Sequence, residues 1–198
     1  MRVIAGSLRR RVLEAPSGLA TRPTSDRLRE TLFNVLAPSI MGASFLDLYA
    51  GSGAVGIEAL SRGAARVVFV ERAQPALKVL KSNLEKIGLR SGFRVESASV
   101  MAYLRREHSD RESSFNVVFL DPPYDAADEY DGVLEFLGGS SCRLLEGETI
   151  VIAEHRRKLR LEQCYGALER TRLLEQGDAA LSFYRIQTAE QEQTAAVR

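Results

Sequence analysis

Phe45-Leu46-Asp47-Leu48-Tyr49-Ala50-Gly51-Ser52-Gly53-Ala54-Val55-Gly56 decides the fold of this chain. Its first half reads as an apolar strand, Gly51-Ser52-Gly53 as a turn, and residues 54–62 as a helix that Gly63 closes at the C′ position. Residues 66–71 return as a strand. Residues 75–87 form a helix, with Leu77, Leu80, Leu84 and Ile87 on one face and Gly88 after it. Strands alternating with helices imply a parallel sheet with helices packed on its faces.

The same pattern extends in both directions. Upstream, Leu28, Leu32, Val35 and Leu36 recur at helical spacing behind Thr24-Ser25-Asp26, which supply capping oxygens and first-turn negative charge. Downstream, strands at 93–96 and 115–120 flank a helix near 99–108, and a strand at 149–154 follows a helix near 127–137. Segments 165–174 and 179–186 flank Gln176-Gly177-Asp178 and predict a closing antiparallel hairpin. The expected organisation is a basic arm over residues 1–24, a catalytic domain over 25–187 and a polar tail over 188–198.

Composition narrows the class. A length of 198 residues with 45% hydrophobic content suits a single α/β domain with a substantial core. No run approaches the roughly 20 apolar residues of a membrane span, and Met1-Arg2-Val3-Ile4-Ala5-Gly6 lacks the apolar core of a signal peptide, so a cytoplasmic protein is expected. Cys142 and Cys164 form no C-x-x-C pair, and His108 and His155 are too few and too scattered for a zinc motif, so no metal is expected. The net charge of +1 hides an asymmetry: seven arginines give residues 1–30 a net +4, leaving −3 for the rest.

Gly51 to Gly56 satisfies G-x-G-x-x-G, a weak signal alone because dinucleotide enzymes share it. Asp47, four residues before Gly51, sharpens the reading. A phosphate-binding loop has little use for a carboxylate there, whereas a cationic sulfonium bearing an α-amino group does. Glu71 ends the next strand 20 residues after Gly51, where a carboxylate can accept both hydroxyls of a ribose. Ala50, Ser52 and Gly53 in the loop and Arg72 beside Glu71 complete the candidate cofactor contacts. The plainer alternatives are that Asp47 is a structural carboxylate bonded to loop amides, and that Glu71 caps its strand or pairs with Arg72. Ile57-Glu58 stand where a P-loop needs Lys-Ser/Thr, and no G-x-S-x-G elbow surrounds Ser52, so kinase-like and hydrolase-like chemistry drop out.

Val117-Val118-Phe119-Leu120 ends in Asp121-Pro122-Pro123-Tyr124, which places a carboxylate, two rigid prolines and an aromatic ring at a strand's carboxyl end. The exocyclic amine of a nucleobase is a poor nucleophile because its lone pair is delocalised into the ring. Acceptors that hold both N–H groups direct that lone pair at an electrophile. Asp121 supplies one acceptor through its carboxylate and Pro122 another through its carbonyl, with the fixed proline φ angles keeping them convergent. Tyr124 offers a face on which a flipped base stacks. The tetrapeptide resembles the D/N-P-P-Y/F motif of S-adenosylmethionine-dependent enzymes that methylate such amines.

Longer segments resemble one family. Thr21-Arg22-Pro23-Thr24-Ser25-Asp26-Arg27-Leu28-Arg29-Glu30-Thr31-Leu32-Phe33-Asn34, the glycine-loop segment, residues 57–64, Ile152-Ala153-Glu154-His155 and Leu181-Ser182-Phe183-Tyr184 look like the RsmD family, bacterial methyltransferases of the 16S ribosomal RNA guanine N2 position. The resemblance implies a Rossmann-like class I methyltransferase fold: a mostly parallel seven-stranded sheet, an antiparallel C-terminal hairpin and an N-terminal β-hairpin. It implies S-adenosylmethionine as methyl donor and 16S RNA in an assembled or assembling small ribosomal subunit as substrate; a monomer is expected separately. Asp121, Pro122, Pro123 and Tyr124 would hold guanine. The chain departs at the third motif, where such enzymes often carry an acidic residue toward the adenine amine and this one has Ser99.

Arg9-Arg10-Arg11, Arg22, Arg27 and Arg29, with Arg156, Arg157, Lys158 and Arg160, are candidates to neutralise phosphates, Arg10, Arg22 and Arg27 foremost. Competing readings are a DNA adenine-N6 or cytosine-N4 methyltransferase, an NAD-dependent oxidoreductase and a catalytically silent RNA-binding module. The first more usually carries Asn in place of Asp121 together with a separate recognition domain. The second leaves Asp47 and the Asp-Pro-Pro-Tyr turn unexplained.

Overall fold

A computed structural model of the chain describes residues 1–15, 25–108, 114–123 and 127–187. Arg22, Tyr124 and the expected tail at 188–198 lie outside the described residues. The elements run α1 (Asp26–Leu36), β1 (Ser44–Leu48), α2 (Ala54–Ser61), β2 (Arg66–Glu71), α3 (Gln74–Lys86), β3 (Phe93–Ser97), α4 (Val100–Glu107), β4 (Phe115–Leu120), α5 (Ala127–Gly138), β5 (Leu145–Arg156), β6 (Cys164–Tyr165), β7 (Leu168–Gln176) and β8 (Ala179–Ile186).

All eight strands share one sheet in the order β3-β2-β1-β4-β5-β8-β7-β6. Strands β1 to β5 are parallel, and β8, β7 and β6 continue antiparallel. The sheet has one strand more than the seven expected, because the two residues of β6 pair with the start of β7 at the edge. The chain's order reverses at β1, with β2 on one side and β4 on the other. In open α/β sheets a ligand crevice lies at such a switch point, beyond the carboxyl ends of the strands.

Side-chain alternation sorts the core into two layers. Phe45, Val67, Phe69, Val117, Phe119, Ile150 and Ile152 pack with Leu32, Phe33, Ile57 and Leu80 from α1, α2 and α3. The intervening Leu46, Leu48, Val68, Val70, Val118, Leu120 and Val151 pack with Tyr103, Leu104, Tyr130 and Leu134 from α4 and α5. The Ser25 hydroxyl caps α1 by accepting the Leu28 N–H, as its sequence foretold.

The N-terminal residues form an open hairpin with a single antiparallel bridge, Arg2 to Val12, and lie along α2 and α3. Val3 and Leu13 join the same core as α1 and α2. The buried Glu58 carboxylate accepts the N–H groups of Ile4 at 2.7 Å and Ala5 at 3.0 Å and pairs with Arg62 Nε at 2.7 Å. The Ser61 hydroxyl donates to the Ala5 carbonyl and accepts the Leu8 N–H. Asn83, fully buried, donates to the carbonyls of Glu14 and Ser52 and accepts the Glu14 N–H, so it ties the strap to the glycine loop. Gly6 passes so close to α2 that a Cβ there would lie 1.8 Å from the Ser61 carbonyl oxygen, at a φ of +82°.

Candidate active site

Four adjacent strands carry carboxylates at or near the carboxyl edge of the sheet: Glu71 at the end of β2, Asp47 one residue before the end of β1, Asp121 just past β4 and Glu154 two residues before the end of β5. Asp47 shares the parity of Phe45, Glu71 that of Phe69, Asp121 that of Phe119 and Glu154 that of Ile152. All four therefore belong to the sheet face covered by α1 and α2. An array of carboxyl groups around the switch point suits a cationic ligand, whose charge favours their ionised forms.

Asp47 is 2% exposed, and its Oδ2 accepts the Gly56 N–H at 2.9 Å. Burial pushes its carboxyl up to about 7; the Gly56 N–H opposes that rise and the Glu71 charge adds to it. Glu71 is held by amides on both sides: Oε2 accepts Gly51 N–H at 2.9 Å and Oε1 accepts Ala73 N–H at 2.7 Å. Its partner is not Arg72, whose guanidinium lies 3.7 Å from Glu129 on α5. Both carboxylates thus organise the loop, and a carboxylate offers about four lone-pair sites, so acceptor capacity remains for a ligand.

The loop itself is tightly wound. Ala50 N–H donates to Val70 O and Gly53 N–H to Ala50 O. Gly51 and Gly53 take φ of +56° and +80°, and Tyr49 reaches +65° without being glycine. The Tyr49 hydroxyl is pushed up by burial and by its hydrogen bond to Glu129. A Cβ on Gly51 would meet open space apart from Tyr49 O at 3.9 Å, whereas one on Gly53 would lie 2.3 Å from Leu80. Gly51 therefore opens the loop to a ligand, and Gly53 lets α2 start close against α3. Gly53, at the N-cap of α2, has no side chain to offer, and the Asp47 carboxylate takes the Gly56 amide of the first turn instead.

Asp121 follows β4 beside Glu154, Pro122 is buried and Pro123 exposed. Burial, then the Glu154 charge, then the Asp47 charge hold the Asp121 carboxyl well above the ordinary carboxylate range. Ser99 sits at the end of β3, where its hydroxyl caps α4 by accepting Ala102 N–H at 3.3 Å. Among the described residues no group of three or more His, Cys, Asp or Glu is placed to hold a metal ion.

The basic residues divide. Arg10 lies exposed at the turn of the strap with a φ of +72°, and Arg27 is exposed on α1. Arg29 is a correction: it is 0% exposed, donates to Arg2 O and pairs with Asp26 at 3.0 Å, so it braces the strap and cannot meet phosphate. Burial lowers its affinity for a proton. Two residues with no role assigned from sequence emerge, Glu58 under the strap and Glu154 beside Asp121. The second left a trace in the sequence, since Glu154 terminates Ile150-Val151-Ile152-Ala153 as Asp121 terminates its own apolar run.

Comparison with known proteins agrees with this architecture. A family model described as "Conserved hypothetical protein 95" matches residues 1–185. The Bacillus subtilis (strain 168) protein named "Putative rRNA methyltransferase YlbH" is 37% identical over 185 residues, covering 93% of this chain and 98% of that one. "Ribosomal RNA small subunit methyltransferase D" of Escherichia coli (strain K12) is 43% identical over 125 residues, 63% of this chain and 60% of that one. The solved structure "Putative methyltransferase yhhF from Escherichia coli" superposes with a TM-score of 0.81 at 32% identity, covering 94% of this chain and 98% of that one.

Proposed function

Because the chain belongs to the RsmD family, matched by the model described as "Conserved hypothetical protein 95", we propose that it methylates the N2 amine of a guanine in 16S ribosomal RNA, with S-adenosylmethionine as donor. The observation that carries this reading is Asp121-Pro122-Pro123 at the switch point, one strand from Asp47 and next to Glu154. The substrate is RNA within an assembled or assembling small subunit, and the protein works in the cytoplasm as a monomer.

The residues present fit the cofactor: acceptors at Asp47 and Glu71 suit a cation with a ribose, and Gly51 leaves the loop open to it. Ala50, Gly51, Ser52 and Gly53 would hold it with Asp47 and Glu71, while Arg72 and Ser99 flank the site. S-adenosylmethionine, when bound, supplies a methyl group on a sulfonium with an excellent leaving group.

Asp121 and the Pro122 carbonyl accept the two N–H groups of the guanine amine, and Tyr124 stacks on the ring. The amine lone pair is then aimed in line at the methyl carbon. As the N–C bond forms, the methyl carbon's bond to sulfur breaks with its electron pair left on sulfur, and one N–H bond of the amine breaks, its proton passing to the Asp121 carboxylate. Residence above the usual carboxylate range makes that group the stronger base.

Mass analysis of nucleosides tests this reading after incubation of the protein with S-adenosylmethionine and small subunits lacking the modification, alongside naked 16S RNA and duplex DNA. N2-methylguanosine from subunits is the expected product. Methyladenine or methylcytosine in DNA would move the protein to the DNA amino-methyltransferase class. Asp121→Ala should lower kcat by about 100-fold or more while RNA and cofactor affinity persist; unchanged turnover would refute the role given to Asp121.

A further inference from the structure

Glu154 takes no part in the steps above, yet it is 4% exposed two residues before the end of β5, directly beside the base-holding turn. β4 and β5 run parallel with Leu120 opposite Ala153, so the next pair is Asp121 and Glu154, on strands about 4.8 Å apart. Both side chains share the parity of Phe119 and Ile152 and so address the same crevice. The backbone there is fixed: Tyr130 donates its hydroxyl hydrogen to the Glu154 carbonyl at 2.7 Å, and Leu181 of β8 pairs on the other side. An ionised carboxylate can only accept hydrogen bonds, so a ligand beside it must offer a donor.

The three amino-bearing bases differ at the ring nitrogen next to the amine. Guanine carries a hydrogen at N1, whereas adenine N1 and cytosine N3 carry lone pairs. A carboxylate attracts the first and repels the other two. We propose that Glu154 is the specificity-determining residue of the site, accepting the guanine N1–H while Asp121 and the Pro122 carbonyl hold the N2 amine. This rests on the guanine-N2 reading and explains why that base, among those with an exocyclic amine, is chosen.

The test uses small subunits reconstituted with 16S RNA bearing either guanine or 2-aminopurine at the target position. 2-Aminopurine keeps the amine at C2 but presents a lone pair at N1. The unaltered protein should prefer guanine in kcat/KM by at least about 100-fold, because a site built around a donor rejects the analogue lacking it. Glu154→Gln, whose amide can turn either its oxygen or its NH2 to the base, should lower that preference at least about tenfold while melting temperature and cofactor affinity hold. Equal turnover of both bases by the unaltered protein overturns the selector, as does an unchanged preference in the variant. If the variant fails to fold, the preference of the unaltered protein decides alone. No product from guanine subunits overturns the reaction and the selector together, whereas product without preference overturns the selector only.

Discussion

Asp47 holds its proton far longer than an ordinary aspartate. Its native carboxyl stands near 7 against 3.8 for the free side chain, chiefly through burial. Between about pH 4 and 7 the native protein therefore keeps a proton that the unfolded chain has released. The associated stability is complete below about pH 4 and is lost as pH rises through 7. Asp47→Asn, which keeps an oxygen for the Gly56 N–H, should melt with a flatter pH profile and gain at most about 4 kcal/mol on the parent at pH 8 without cofactor. Parallel profiles for the two proteins from pH 4 to 8 would show that Asp47 is not the group responsible. The sequence placed Asp47, Gly51, Glu71 and Asp121 at strand ends because their neighbours are strongly patterned. It could not reveal that loop amides engage Glu71 on both sides or that Ser99 is a helix cap, since those bonds depend on how the loop closes in space.

At the scale of elements, β2 and β4 begin and end at the residues expected, 66–71 and 115–120, because each is built on a short apolar run. β5 begins at Leu145, four residues before the expected start, since the pairing shifts register between Phe115 and Val117 and Thr149 fills the irregularity with a hydrogen bond to Phe115 O. A register shift leaves no mark in hydrophobic periodicity, and a two-residue edge strand such as β6 has none to leave. The strap was equally hidden: the partners of Glu58 lie 53 and 54 positions away, beyond any local pattern. Glu58→Ala would leave the Ile4 and Ala5 amides and the Arg62 guanidinium without their shared acceptor. A loss of about 3–5 kcal/mol is expected in urea unfolding. Glu58→Gln should lose less, because its carbonyl still accepts. Equal stability of Glu58→Ala and the parent would mean that the strap contributes nothing.

Across the whole molecule, two of the basic clusters singled out as phosphate contacts lie in different places. Arg157, Lys158 and Arg160 follow the end of β5, on the same edge as Asp121, and Arg157 pairs with Glu175 at 3.0 Å. Arg9, Arg10 and Arg11 sit near the far end of α2, where Leu8 meets Ser61, one eight-residue helix or about 12 Å from the glycine loop. Replacing Arg9, Arg10 and Arg11 with Gln should flatten the dependence of log affinity on log salt by roughly 2 and leave the choice of base untouched, since phosphate contacts position without specifying; an unaltered slope would exclude the strap from the RNA path. The attachment of the strap also imposes an order of events during synthesis. Its residues precede their anchors Glu58 and Asn83 by 53 to 69 positions. At roughly 5–20 residues per second, a nascent strap waits about 3–14 s before Asn83 exists to receive it. Until Glu58 is made the arginine-rich segment has no anchor, and until Asn83 is made it has only part of its docking site, all within reach of the polyanionic translating ribosome.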